Sequence, residues 1–140
     1  MDADTLGDFI VQSITGTWQL IDTQCIAEDG SGLAPPYGGA ENCMGLLSLR
    51  EDGRMICVLC DSRKEMPAGH AREYNSYCGT YRFDGKQLST RVDATADPAF
   101  LVTDQIRDIT FEGDVMVLQP IKNNGPVSDG QRVLRWTKVG

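Results

Sequence analysis

Four short segments, Glu51-Asp52-Gly53, Phe83-Asp84-Gly85-Lys86, Glu112-Gly113-Asp114 and Asp129-Gly130, each set a glycine between runs of strand-forming residues. That is the signature of tight antiparallel hairpins. They cut the chain after Gly16 into strands expected at 17–27, 43–50, 54–61, 77–83, 87–95, 105–111, 115–120 and 132–138. No comparable helical period follows residue 16. About eight antiparallel strands joined in chain order close readily into an up-and-down barrel, so the expected class is all-β. Ahead of them, Asp4-Thr5 can cap a short N-terminal helix with Leu6, Phe9, Ile10 and Ile14 on one face, ending before Gly16. Such a helix would plug or flank the barrel.

A chain of 140 residues that is 41% hydrophobic suffices for one core, and a single domain over 1–140 is expected. Twenty acidic against thirteen basic residues leave a formal charge of −7, which repels phosphate backbones and anionic lipid surfaces. Nucleic acid and membrane are therefore not expected partners. No run approaches the roughly 18 apolar residues of a membrane span, and Met1-Asp2-Ala3-Asp4 is acidic where a secretory signal would be basic. A cytoplasmic location is the expectation, and self-association as a homodimer stays open.

Five cysteines, Cys25, Cys43, Cys57, Cys60 and Cys78, read as free thiols rather than a disulfide framework. Cys57-Val58-Leu59-Cys60 has C-x-x-C spacing, but in a strand residues three apart point to opposite faces. A second cysteine pair is missing and His70 is the only histidine, so neither a metal nor a cofactor is expected. Two longer connections differ from the hairpins. Gly32-Leu33-Ala34-Pro35-Pro36-Tyr37-Gly38-Gly39 suits an extended lid with Tyr37 at its tip, and the segment from Ser62 to Asn75, with a helical turn open, holds His70, Arg72, Glu73 and Tyr74.

Read in order, Gly16-Thr17-Trp18-Gln19-Leu20, Met44 to Met55, Tyr77-Cys78-Gly79-Thr80-Tyr81, Asp97-Pro98, Gln105-Ile106-Arg107, Phe111-Glu112-Gly113-Asp114 and Leu134-Arg135-Trp136 span nearly the whole chain. Together they resemble the lipocalin-like domain family of bacteria and fungi. The resemblance implies an up-and-down barrel around a cavity, often encoded beside biosynthetic enzymes, and no particular reaction. Where the family often carries a histidine, in the strand after the Asp-Gly turn, this chain has Ser89-Thr90-Arg91. The tryptophan of the opening motif also resembles the one that closes lipocalin floors by stacking on an arginine, which makes Trp18 with Arg135 the pair implied here.

Parity along each strand then selects the groups that face inward. Leu88, Thr90, Val92 and Ala94 form one set, which leaves Arg91 and Asp93 to solvent. In 77–83, Tyr77, Gly79, Tyr81 and Phe83 share a face, and Gly79 leaves room for a ligand between two phenols. Arg107 shares parity with Ile109 and Phe111 and would carry a guanidinium inside, the alternative being a surface pair with Asp104 or Asp108. Asp22 shares parity with Trp18 and Leu20 and could serve there as a base. Glu73, beside His70 and Tyr74, could supply acid-base chemistry at the mouth. The expected catalytic groups are Tyr77, Tyr81, Arg107 and Asp22. Trp18, Tyr37, Met44, Leu46, Gly79, Thr90, Ile109 and Phe111 are expected to contact the ligand.

No G-x-S-x-G, H-E-x-x-H, dinucleotide-binding glycine pattern or P-loop is present, which disfavours the common hydrolase, metalloprotease and nucleotide chemistries. A haem barrel of the nitrobindin kind also opens on G-x-W, but its iron would need His70 from a loop. Two readings remain. One is a cofactor-independent isomerase or cyclase acting on a hydrophobic small molecule, in secondary metabolism, and the other is a non-catalytic carrier using the same cavity.

Overall fold

The computed structural model describes residues 13–121 and 130–140. Among these residues nine strands form one antiparallel sheet: β1 (Gly16–Ile26), β2 (Gly32–Leu33), β3 (Cys43–Leu49), β4 (Arg54–Asp61), β5 (Tyr74–Phe83), β6 (Gln87–Thr95), β7 (Asp104–Glu112), β8 (Val115–Pro120) and β9 (Gln131–Lys138). From β3 to β9 each strand pairs with the next, β1 lies beside β3, and β9 returns to pair with β1. The result is a closed eight-stranded barrel, with the two-residue β2 added outside the ring on β1.

The chain reverses at three of the four expected hairpin turns, where Gly53, Gly85 and Gly113 take the positive φ that such turns favour, and the fourth, Asp129-Gly130, lies partly outside the described residues. The expected N-terminal helix lies outside the described residues, except that Ile14 is buried in the core. The helical residues that are described sit elsewhere: a 3₁₀ turn at Pro36–Gly38 running into the four-residue helix α1 (Gly39–Asn42), and a second 3₁₀ turn at Pro98–Phe100. No helix forms between Ser62 and Glu73, and β5 starts three residues earlier than expected. No helix among the described residues is long and apolar enough to cross a membrane.

Alternation sends one face of each strand into the barrel, where Trp18, Leu20, Leu47, Leu49, Met55, Cys57, Leu59, Leu88, Ile109, Met116, Leu118 and Trp136 pack as one core. Irregularities interrupt the rule twice. In β1 the register against β9 steps from Leu20 opposite Trp136 to Asp22 opposite Arg135, so an extra residue is absorbed at Ile21. Beyond it the inward positions are Thr23 and Cys25, both buried, instead of Asp22. A second step between β5 and β6 pairs Cys78 with Ala94 but Gly79 with Val92, which turns Ala94 outward, where it is exposed, rather than inward with Val92.

Gly79 marks the second irregularity for a steric reason. A Cβ at this position would lie 1.9 Å from the carbonyl oxygen of Arg91 and 3.1 Å from Cα of Val92. Backbone crowding, not ligand access, is what requires glycine here. Gly79→Ala is expected to lower unfolding stability by about 2 kcal/mol or more, because two paired backbones must separate to admit the methyl group. The check is the denaturant midpoint of the variant against wild type; an unchanged midpoint would refute the crowding argument.

Candidate functional site

The described residues do not fill the barrel interior along its whole length. A hollow bounded by Tyr37, Leu47, Met55, Cys57, Leu59, Asn75, Tyr77, Leu88, Arg107, Leu118, Pro120, Arg132, Leu134 and Trp136 encloses about 550 Å³ between its walls, including space that opens to solvent. Within it the centre of a water-sized sphere has about 50 Å³ in which to move. One water needs only ~10–15 Å³ on that measure, so the hollow admits a small organic molecule or a few waters. Trp18, Leu20, Leu49, Ile109 and Met116 lie outside this boundary, in the packed part of the core.

Tyr37 roofs the hollow. Its residue has φ 57°, a left-handed conformation costly for a side chain with a Cβ, and the next two residues, Gly38 and Gly39, also have positive φ. This tight coil turns the phenol ring inward until only 4% of the residue is exposed. The coil is held from both sides. The hydroxyl of Thr23 donates to the carbonyl of Pro36, and the amide of Tyr37 donates to Oε1 of Glu73 at 2.7 Å. The other oxygen of Glu73 takes a hydrogen bond from Arg132 Nη2 at 2.8 Å, and the Arg132 guanidinium lies 5.8 Å from the centroid of the Tyr37 ring. Glu73 thus ties the lid to the barrel wall.

The segment that carries Glu73 is itself anchored on Asp61, whose side chain is buried beneath the lid. Asp61 accepts from the Arg63 amide at 3.0 Å and from its guanidinium at 2.6 Å. Its carbonyl accepts from Arg72 at 2.6 Å and its amide donates to the carbonyl of Glu73 at 3.1 Å. The Arg63 hydrogen bonds outweigh burial and bring the Asp61 carboxyl from 3.8 down to about 2.

The polar groups of the hollow are few. Arg107, on β7 opposite Leu88 of β6 and Pro120 of β8, donates from Nη2 to Oε1 of Gln105 at 2.8 Å and from Nη1 to the carbonyl of Ile106 at 3.0 Å. Tyr77 faces Cys57 across the β4–β5 pair. Burial pushes the Tyr77 phenol up to about 12 against the opposing pull of Arg107, and pushes the Cys57 thiol up to about 12 as well. Both stay protonated at neutral pH. Burial raises the Tyr37 phenol further still. No carboxylate and no histidine stands among the described residues bounding the hollow.

Of the residues singled out from sequence, Tyr37, Tyr77 and Arg107 meet at the hollow. Trp18, Thr90 and Ile109 are buried but do not bound it, and Phe111 packs against the core. Gly79 is closed over by the backbone of β6. Tyr81 lies at the hairpin rim, its hydroxyl donating to the carbonyl of Arg50 at 2.6 Å. Asp22 faces outward past the β1 irregularity and pairs with Arg135 at 3.2 Å. Arg135 also holds Glu112 at 2.8 Å, so it does not stack on Trp18, whose indole donates to the carbonyl of Ile14. Met44 and Leu46 are on the outer face of β3, about half exposed. His70 is exposed, Arg91 pairs with Asp104, and Asp93 pairs with Arg54. Cys57 and Cys60 point to opposite faces, and no metal-binding cluster of His, Cys, Asp or Glu occurs among the described residues.

Arg132, Leu134 and Trp136 went unassigned from sequence, although they share one parity on β9 and all three bound the hollow. The signal was there in alternate residues of the last strand.

A closed eight-stranded meander with a roofed, mostly apolar hollow defines a lipocalin-like barrel. A family model described as a lipocalin-like domain matches residues 15–139, and the chain belongs to that family. Comparison with curated proteins and with solved structures gives no match.

The Asp61 anchor sets a pH dependence. A carboxyl held below its ordinary value stabilises the fold fully above pH 3.8, and that contribution fades as pH falls toward about 2. Asp61→Asn should therefore melt below wild type at neutral pH, with the two curves converging by about pH 2. Thermal melts of both proteins across this range provide the check; a constant gap would assign the effect to something other than the Arg63 pair.

Proposed function

We propose that the barrel binds a small hydrophobic molecule in the hollow beneath Tyr37. The observation that carries this reading is a void with walls of Leu47, Met55, Leu59, Leu88, Leu118 and Leu134 and a hinged-in aromatic roof, in a fold whose interior side chains could otherwise fill it. Burying an apolar ligand there removes its surface from water at about 25 cal/mol per Å². The Tyr37 coil, strained and tied down chiefly through Glu73 and Thr23, is the element that moves when a ligand passes.

Catalysis is the second reading, favoured by one feature. Tyr77 is a buried, neutral phenol that bounds the hollow together with Arg107, whose guanidinium opposes but does not cancel the upward push of burial on that phenol. Such a phenol can donate a proton or a hydrogen bond to a carbonyl, while Arg107 stabilises the negative charge that develops. An isomerisation or cyclisation needs little more from the protein when the cavity holds one reactive conformer. The reaction would draw its base from the ligand, from water or from Glu73 at the mouth, since the described residues bounding the hollow offer no carboxylate. The family resemblance, whose members are often encoded beside biosynthetic enzymes, supports a place in the biosynthesis of small metabolites.

Two outcomes check these readings. Toluene at roughly ten times its Kd should raise the melting temperature by about 3 °C or more, and Leu118→Trp, which fills the hollow, should abolish the rise while still unfolding cooperatively. A rise that survives in the filled variant places the ligand elsewhere. If chemistry occurs, Tyr77→Phe should cut turnover about 10²-fold while binding changes less than about threefold; equal losses favour a carrier.

A further inference from the structure

Two buried side-chain nitrogen or oxygen atoms among the described residues have no hydrogen-bond partner, Nε1 of Trp136 and Nε of Arg132. Both belong to residues that bound the hollow. The coincidence is informative because buried N–H groups are nearly always satisfied within a native fold, and those that are not mark a place where something else supplies the acceptor. Trp18 is the internal control. It is as buried as Trp136, and its indole donates to the carbonyl of Ile14 at 2.9 Å. Trp136, 1% exposed, has Leu20 and Met116 as its partners on the neighbouring strands, and neither side chain offers an oxygen.

We propose that the molecule held in the hollow carries a hydrogen-bond acceptor oxygen, a carbonyl or a carboxylate, and that the indole N–H of Trp136 is the donor that reads it. This rests on the hollow being the binding site and narrows what it selects. A purely hydrocarbon ligand would seal the indole N–H away from water and leave it unmatched, so it is disfavoured relative to an oxygenated one of the same size. Arg132 supplies the second unmatched N–H nearer the lid, with its Nη2 already engaged by Glu73. A carboxylate gains there from the cation, and a neutral carbonyl gains less. The ligand class is therefore an apolar body with an oxygen end, and the two sources of that oxygen differ in their dependence on Arg132.

The test uses toluene, acetophenone and benzoate, which share a ring and differ in the oxygen. Binding is followed by thermal shift and by the indole cross-peaks in a proton–nitrogen correlation spectrum of the full chain. The chain has two tryptophans, so Trp136→Phe assigns the peaks. Acetophenone or benzoate should move the Trp136 indole proton downfield, toluene should not, and the oxygenated probe should bind about tenfold tighter than toluene. Trp136→Phe should erase that preference, and Arg132→Met should weaken benzoate more than acetophenone. The wild-type indole shift keeps the test decisive even where a variant fails to fold. Equal affinity for all three probes with a still indole peak overturns the inference while leaving the binding reading intact. No binding by any probe overturns both.

Discussion

Backbone pairing between β1 and β9 gives this molecule an inside. Eight residue pairs run from Trp18 opposite Lys138 to Ile26 opposite Gln131, and they join the first strand to the last. Without them the chain is an open meander with two unprotected edges, and its apolar face has nothing to pack against but solvent. With them, opposite walls of one sheet supply each other's core. The cost is that the first and last strands, far apart in sequence, must find each other, a pairing with a large loop-closure penalty. β1 therefore carries an unusual share of the architecture, bonding to β3, β9 and the short β2.

Closure also sets how full the interior can be. Eight strands leave a space that side chains can occupy, and in the region of Trp18, Leu20, Leu49 and Met116 they do. Beneath the lid they do not. There the walls carry leucines, one phenol, one thiol and two guanidinium groups, and the roof is a tyrosine in a conformation that its own backbone resists. Function in such a barrel lies in the contrast between the well-packed part and the unfilled part. The first holds the shape, and the second offers it to a ligand.

Much of this organisation was legible in the chain. Glycine turns at Gly53, Gly85 and Gly113 mark the strand order because only backbone reversal explains their spacing, and the parity of Arg107 with Ile109 correctly turns the guanidinium inward. Three things were not legible. The extra residue at Ile21 reverses the alternation in β1 and moves Asp22 to the surface; no residue type announces it. In β3 both parities are apolar, since Met44 and Leu46 alternate with Leu47 and Leu49, so periodicity cannot decide which pair faces the core. The outer pair remains exposed beside Ile56 and Val58 of β4. On β9 each parity carries an arginine, Arg132 with Leu134 and Trp136 on one and Arg135 with Val133 on the other, so charge does not mark which set bounds the hollow.

The irregularity in β1 divides that strand into two segments under opposite rules. Up to Leu20 the even-numbered positions need bulk and apolarity; from Thr23 onward the odd-numbered ones do. A substitution profile along the strand should thus skip a beat, tolerant at Ile21 and Asp22 in succession where a regular strand would allow only one lenient position. Deleting Ile21 would restore a uniform beat with Trp18, Leu20, Thr23 and Cys25 all still facing the core, and would remove only the local bend that the extra residue gives the strand.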